Sequence, residues 1–215
     1  MDFVFEQIRV GGDRNFAYLL GDRAAGAAAA VDPAFDPDAV HARAAAQGLD
    51  VAWILNTHGH GDHVNGNARL KKRTGAPVAA HASLKPDHPL GDGDVLRVGS
   101  LEIHALFTPG HSPDHLVFWL PAQRVAITGD LLFVGKIGGT ATEEDARTEF
   151  DSLRRVLDTL PDDATVWPGH DYGARPSSTV ALERATNPFL RVPDFEAFLR
   201  LKEGWARFKE KHGLK

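Results

Sequence analysis

Seven residues, Thr57-His58-Gly59-His60-Gly61-Asp62-His63, put three imidazoles and a carboxylate into one short stretch. Imidazole suits zinc, iron, copper and nickel, and a carboxylate adds a harder oxygen donor. The glycines between them allow a tight loop in which all four side chains converge. His58 and His60, two apart in an extended or turning backbone, can reach one cation, and Asp62 and His63, further round the loop, can serve a second. Such a density of donors is a metal signal rather than an accident of composition.

Further donors follow, each at a turn. Thr108-Pro109-Gly110-His111 comes directly after the apolar run Leu101 to Phe107. Ile127-Thr128-Gly129-Asp130 ends another short apolar run, and Thr165-Val166-Trp167-Pro168-Gly169-His170-Asp171-Tyr172 ends a third. A lone Pro-Gly-His marks turns of many kinds. An apolar run, a glycine and then His or Asp, three times over in a chain that already holds the dense cluster, is far more specific.

These donors need elements to carry them. Val51 to Asn56, just before the cluster, is a buried strand by its apolar run. Donors on loops leaving strand ends sit where open α/β sheets place their sites. Phe3 to Val10, Asn15 to Leu20 and Ala27 to Asp32 form an N-terminal meander turned at Asp13-Arg14-Asn15 and Gly21-Asp22. Asp36 caps a helix that has Pro37 at its first position and stops at Gly48. A helix from about His63 to Arg73 follows the cluster, then a strand at Pro77 to Ala80 and a loop from His81 to Gly93. Val95 to Val98, Leu101 to Phe107, Leu116 to Leu120 and Val125 to Thr128 make a second sheet. Glu143 to Leu160 is an amphipathic helix with Phe150, Leu153, Val156, Leu157 and Leu160 on one face. Ser177 or Ser178 starts another helix, ending near Asn187-Pro188. Asp194 caps a last one, packing through Phe195, Phe198, Leu199, Trp205 and Phe208. Two strand-rich blocks with helices imply two packed sheets covered by helices outside.

At 215 residues the chain is long enough for one well-buried domain spanning 1–215. Its formal net charge of -5 argues against a nucleic-acid partner, which needs a basic stripe. No cysteine is present, so disulfides and thiolate metal sites are excluded, in keeping with a cytoplasmic location. The start, Met1 to Glu6, lacks the basic and apolar regions of a signal peptide, and no apolar run approaches membrane-spanning length. No membrane partner is expected.

Thr-His-x-His-x-Asp-His, then Thr-Pro-Gly-His, then Gly-Asp, then Pro-Gly-His-Asp-Tyr, in this order, resembles the metallo-β-lactamase superfamily across nearly the whole chain. Within it the chain looks closest to the glyoxalase II group and its relatives, the persulfide dioxygenases. Asp92-Gly93-Asp94-Val95-Leu96, with Gly99 before Leu101, also resembles the hairpin these enzymes carry ahead of the Thr-Pro-Gly-His turn. The resemblance implies an α/β fold, a four-layer αββα sandwich. It implies that His58, His60 and His111 hold a first metal ion, that Asp62, His63 and His170 hold a second, and that Asp130 bridges them. It further implies two zinc ions, a hydroxide between them that attacks a thioester carbonyl, and an Asp62 that orients that hydroxide. The partner would be a small-molecule thiol ester, and Tyr172 would contact the thiol part.

The chain departs from the motif pattern after the bridging Asp. These families usually carry Lys or Arg nine residues after the bridging Asp, and here that position is Gly139. Lys136 lies close by and is the candidate to replace it as the grip on a substrate carboxylate. The alternative reading keeps one iron(II) ion on His58, His111 and Asp130, a two-histidine-one-carboxylate set with open positions for oxygen and a thiol persulfide. Mixed zinc, iron and manganese occupancy and a lactonase on the same scaffold are also open. The aromatic last helix either closes the core or buries against a second copy in a homodimer. Of the other histidines, His41, His88, His104 and His212 are read as structural or solvated, and His115 and His81 as candidates for a supporting role beside the metals.

Overall fold

Period-two alternation with both faces apolar builds the centre of the molecule. In the computed structural model, which describes residues 2–212, two six-stranded sheets lie face to face. Of the 1–215 span, Met1 and 213–215 fall outside the described residues. The first sheet runs, in spatial order, β1 (Phe3–Gly11), β2 (Asn15–Asp22), β3 (Ala27–Val31), β4 (Asp50–Leu55), β5 (Val78–His81) and β6 (His88–Leu90). β1, β2 and β3 pair antiparallel, and β3 to β6 parallel. The second half contributes β7 (Val95–Val98), β8 (Leu101–Phe107), β9 (Leu116–Leu120), β10 (Val125–Gly129), the two-stranded hairpin β11 (Leu132–Phe133) and β12 (Lys136–Ile137), then β13 (Thr165–Pro168) and β14 (Ser178–Thr179). Apart from the hairpin, these form the second sheet in the order β14-β13-β10-β9-β8-β7.

Phe16, Tyr18 and Leu20 of β2 meet Leu116, Phe118 and Leu120 of β9 in the core between the sheets. The intervening residues face outward under helices, as a strand buried on both faces requires. On the first sheet, Ala17 and Leu19 share a cluster with Val40 of α1 (Pro37–Ala46) and Leu70 of α3 (Asn67–Thr74), and the short α2 (Gly61–Val64) precedes α3. On the second, Val117 and Trp119 lie under α4 (Glu143–Thr159), α5 (Val180–Thr186) and α6 (Phe195–Lys211). The architecture is therefore the four-layer αββα sandwich. Among the described residues no helix is long and apolar enough to cross a membrane.

Four local expectations are corrected. The helix expected from His63 to Arg73 is two helices, broken at Gly66, where a Cβ would sit 2.1 Å from the Ala34 carbonyl oxygen. The expected loop from His81 to Gly93 contains β6, which includes Pro89; a sheet edge tolerates the missing N–H. The helix expected to start at Ser177 or Ser178 begins at Val180, because Ser178 and Thr179 pair with β13 and the Thr179 side chain caps the helix. Finally, Phe195 and Phe198 of α6 are buried, but Trp205 is 38% and Phe208 46% exposed. The packing face stops half-way along α6, and these two rings stack on each other, centroids 5.5 Å apart.

Candidate metal centre

Four of the donors arrive on α2 and the turn before it. β4 ends at Leu55, the chain turns through Asn56 and Thr57, and His58 and His60 precede Asp62 and His63. β8 delivers His111 through Thr108-Pro109-Gly110, β10 delivers Asp130, and β13 delivers His170. At Gly169 a Cβ would stand 2.2 Å from Asp130 Oδ1, so only glycine lets these two strand ends close on each other.

The seven residues converge. His60 Nδ1 lies 3.0 Å from His58 Nε2 and 3.1 Å from His111 Nε2. His170 Nε2 lies 3.3 Å from His63 Nε2 and 3.4 Å from Asp62 Oδ2. Asp130 stands between the groups, Oδ2 at 3.2 Å from His170 Nε2 and 3.6 Å from His111 Nε2, Oδ1 at 3.5 Å from His63 Nε2. Four ligands at about 2.05 Å around a tetrahedral ion have donor atoms about 3.4 Å apart. The cluster has that spacing on both sides of Asp130. Buried Asp130 Oδ1 has no hydrogen-bond partner, so an acceptor is left aimed into the cluster. His58, His60 and His111 could hold one ion, and Asp62, His63 and His170 another, with Asp130 reaching both sides.

Second partners set the tautomers. His63 Nδ1–H donates to Asp32 Oδ2 at 2.9 Å, His111 Nδ1–H to the Gly139 carbonyl at 2.8 Å, and His170 Nδ1–H to the Asp13 carbonyl at 2.8 Å. His58 Nδ1 is 3.0 Å from Thr57 Oγ1, whose hydroxyl donates to Asp32 at 2.6 Å. With Nδ1 committed to these partners, each of the four rings presents Nε2 to the cluster as the nitrogen left to bind metal. Asn15 Nδ2 donates to Asp62 Oδ2 at 3.1 Å.

The fields differ within the cluster. Burial, reinforced by His63, pushes His58 well below the ordinary histidine range, and burial also lowers His111. Burial acts the same way on His63, but Asp130 and Asp32 outweigh it and raise His63 well above that range. At His170 burial is likewise outweighed by the Asp130 carboxylate. Burial alone would raise Asp130; His63 and His170 hold it well below the usual carboxylate range.

Asp32 and Asn15 were missed from sequence. Asp32, 2% exposed and at φ 47°, follows the apolar run of β3 as Asp130 follows that of β10, and that likeness was the available signal. Of the histidines singled out for a supporting role, His115 is fully buried. Its Nε2 accepts from the Asp130 backbone N–H at 3.2 Å and its Nδ1 bonds Thr108 Oγ1 at 2.9 Å. Burial drives it down to about 3, so it stays neutral. His81 stacks on Phe107, centroids 4.6 Å apart, and bonds Ser83 instead of any donor. Tyr172 stacks on His170 at 4.6 Å and donates to Asp13 Oδ2 at 2.8 Å. The Lys136 ammonium lies 5.5 Å from the Trp205 ring centroid.

The metallo-beta-lactamase superfamily model matches residues 10–170. The chain belongs to the metallo-β-lactamase superfamily. Within that superfamily its relatives divide. It is 31% identical over 193 residues to mitochondrial persulfide dioxygenase ETHE1 of Mus musculus, covering 87% of this chain and 76% of the relative. It is 34% identical over 218 residues to the hydroxyacylglutathione hydrolase of Methylobacterium sp., covering 84% of each. The crystal structure of ETHE1 from Myxococcus xanthus superposes with a TM-score of 0.86 at 33% identity, over 93% of this chain and 90% of that one. Both activities thus lie within the same range of similarity, and the reaction has to be argued from the site.

Proposed function

We propose that this metallo-β-lactamase-fold chain is a metal-dependent hydrolase of small-molecule thioesters. In this reading His58, His60 and His111 would hold one ion and Asp62, His63 and His170 a second, with Asp130 within reach of both. The observation that carries it is the pair of donor groups facing each other across a single buried carboxylate with an unpartnered oxygen. Two zinc ions, when bound, would supply Lewis-acid chemistry: they would activate water as a nucleophile near neutral pH and stabilise negative charge developing on the thioester oxygen.

The chain's own residues do the rest. Asp62, 37% exposed and held by Asn15, orients the attacking group from the solvent side. Asp32 and the backbone carbonyls of Asp13 and Gly139 fix the imidazoles so that little rearrangement accompanies the reaction. A thiolate leaves without strong acid assistance, which fits a cluster whose burial keeps His58 and His111 unprotonated. Tyr172, flat on His170, offers a surface for the thiol part of the substrate, and Lys136 a cation for its carboxylate. A cytoplasmic enzyme that pairs with a second copy over Trp205 and Phe208 belongs to the same proposal.

A second reading, one iron(II) on His58, His111 and Asp130 oxidising a thiol persulfide, is favoured by the likeness to ETHE1 over almost the whole chain. Thioester cleavage and oxygen uptake, measured side by side on zinc-loaded and iron-loaded protein, separate the two. Cleavage of an S-acyl thiol by the zinc form without oxygen uptake is the expected result. Rapid oxygen uptake on a glutathione persulfide by the iron form, without thioesterase activity in either, overturns it.

A further inference from the structure

Beside the metal centre, α4 and α6 bury an ion pair that the hydrolytic chemistry does not use. Glu149 of α4 is 0% exposed, and its carboxylate Oε2 is in contact with the ammonium of Lys202 on α6, whose side chain is only 11% exposed. Burial pushes the Glu149 carboxyl up to about 7 and the Lys202 ammonium down, the mark of two charges withdrawn from water. Such a pair is a poor source of stability, because well-packed apolar residues commonly do as well or better in its place. What distinguishes this one is the ammonium's other contact. Lys202 Nζ also donates to the Gly138 carbonyl at 3.0 Å.

Gly138 is wedged into the metal centre. A Cβ there would lie 2.1 Å from the Asp130 carbonyl oxygen and 2.8 Å from His111 Nδ1. The next carbonyl, that of Gly139, accepts the His111 Nδ1–H. The same helix that supplies Glu149 also presses on the turn that carries His111. A Cβ at Gly110 would come within 2.4 Å of the Glu149 Cα, and Ser152 Oγ donates to the Pro109 carbonyl at 2.6 Å. His111 is therefore gripped from two sides, its own turn by α4 and its hydrogen-bond acceptor by Lys202.

We propose, on the reading that His111 holds a metal ion, that Lys202, fixed by Glu149, is a positioning residue for that half of the centre. It clamps the Gly138-Gly139 strap and so fixes the direction of the His111 ring and its Nε2. The imidazoles of the Asp62, His63 and His170 half are held instead by Asp32 and the Asp13 carbonyl.

The test uses the full-length chain and the double variant Lys202→Met/Glu149→Gln, which removes both charges together. Zinc is titrated against a competing chelator while NMR follows each histidine ring separately, and the unfolding temperature is recorded for the metal-free proteins. The expected result is a loss of about 10–100-fold in zinc affinity, the usual effect of removing an outer hydrogen-bond partner of a ligand, confined to the half reported by His111. The His111 Nδ1–H resonance should also lose its protection from exchange. Equal losses in both halves, as a merely structural pair would give, or no loss in either, overturn the proposal. Should the double variant fail to fold, Lys202→Arg keeps the cation and the pair while displacing the point contact to Gly138. A smaller loss, again confined to the His111 half, is then expected, and wild-type affinity in both halves overturns the proposal. Failure of the wild-type protein to shift His111 on zinc addition is a different outcome, and it defeats the metal-centre reading itself.

Discussion

His58, His60 and His111 offer only imidazole nitrogens, whereas Asp62, His63 and His170 set two imidazoles beside a carboxylate. The halves also differ in what surrounds them. Burial lowers His58 and His111, but Asp130 and Asp32 raise His63, and Asp130 raises His170. One residue type is thus kept ready for metal in one half and attractive to protons in the other. Neighbouring carboxylates, more than burial, decide which. In the metal-free protein the Asp130 and Asp32 carboxylates on its two sides favour a proton on His63.

Asp130 is common to both halves, so its removal should have the largest effect. Asp130→Ala is expected to strip most metal and activity from the protein, read by elemental analysis and turnover; a variant that keeps wild-type metal content would show that the halves do not share this residue. Asp32→Asn comes next. It weakens the acceptor of His63 and should lower metal affinity in the Asp62, His63 and His170 half by about 10–100-fold. The other half should lose less, since Asp32 reaches His58 only through the Thr57 hydroxyl. Equal losses would erase the distinction.

Acid sharpens the contrast. Metal binding competes with protonation, and the raised pKa of His63 and His170 brings that competition on at higher pH than for His58 and His111. On acidification of the loaded protein the second half should empty first, in a two-step release seen by metal analysis; a single step would contradict this. Without metal the signs reverse for stability. A raised histidine stabilises fully below its unfolded value of about 6.5 and loses that contribution as pH rises through the folded value. His63 and His170 should therefore make the metal-free protein less stable above neutral pH, while His58, His111 and His115, lowered by burial, take stability away as pH falls below about 6.5. Thermal melts across pH on metal-free wild type and Asp32→Asn check this, the variant showing the shallower decline on the alkaline side. The smallest effect belongs to Lys136→Ala, which should leave the metal in both halves untouched and raise KM for an anionic thiol substrate more than it lowers kcat. An unchanged KM removes Lys136 from the substrate site.

The donors themselves were legible because each sits in a motif of a few residues, and folding brings together what the motifs already contain. Their supports were not. Asp32 is one carboxylate among many in an acidic chain, and only the pairing of β3 beside β4 places it against Thr57 and His63. The Gly138-Gly139 strap was readable as a departure from a family pattern, but its attachment to Lys202 spans 64 residues and has no local signature. The sheets were readable from alternation, and β6 was not, because a three-residue strand containing Pro89 has too few positions to show a period. Trp205 and Phe208 keep helical spacing with Phe198, yet spacing carries no information on where the neighbouring helix ends.

The central claim is that both halves hold metal at once. Its most direct test is the metal content of protein produced with zinc and iron both supplied, combined with NMR of the histidine rings in the zinc-loaded form. About two metal ions per chain, with His58, His60 and His111 and also His63 and His170 shifted on loading, is the result expected of a bridged pair. About one ion per chain, with iron dominant and His60, His63 and His170 unmoved, would contradict it.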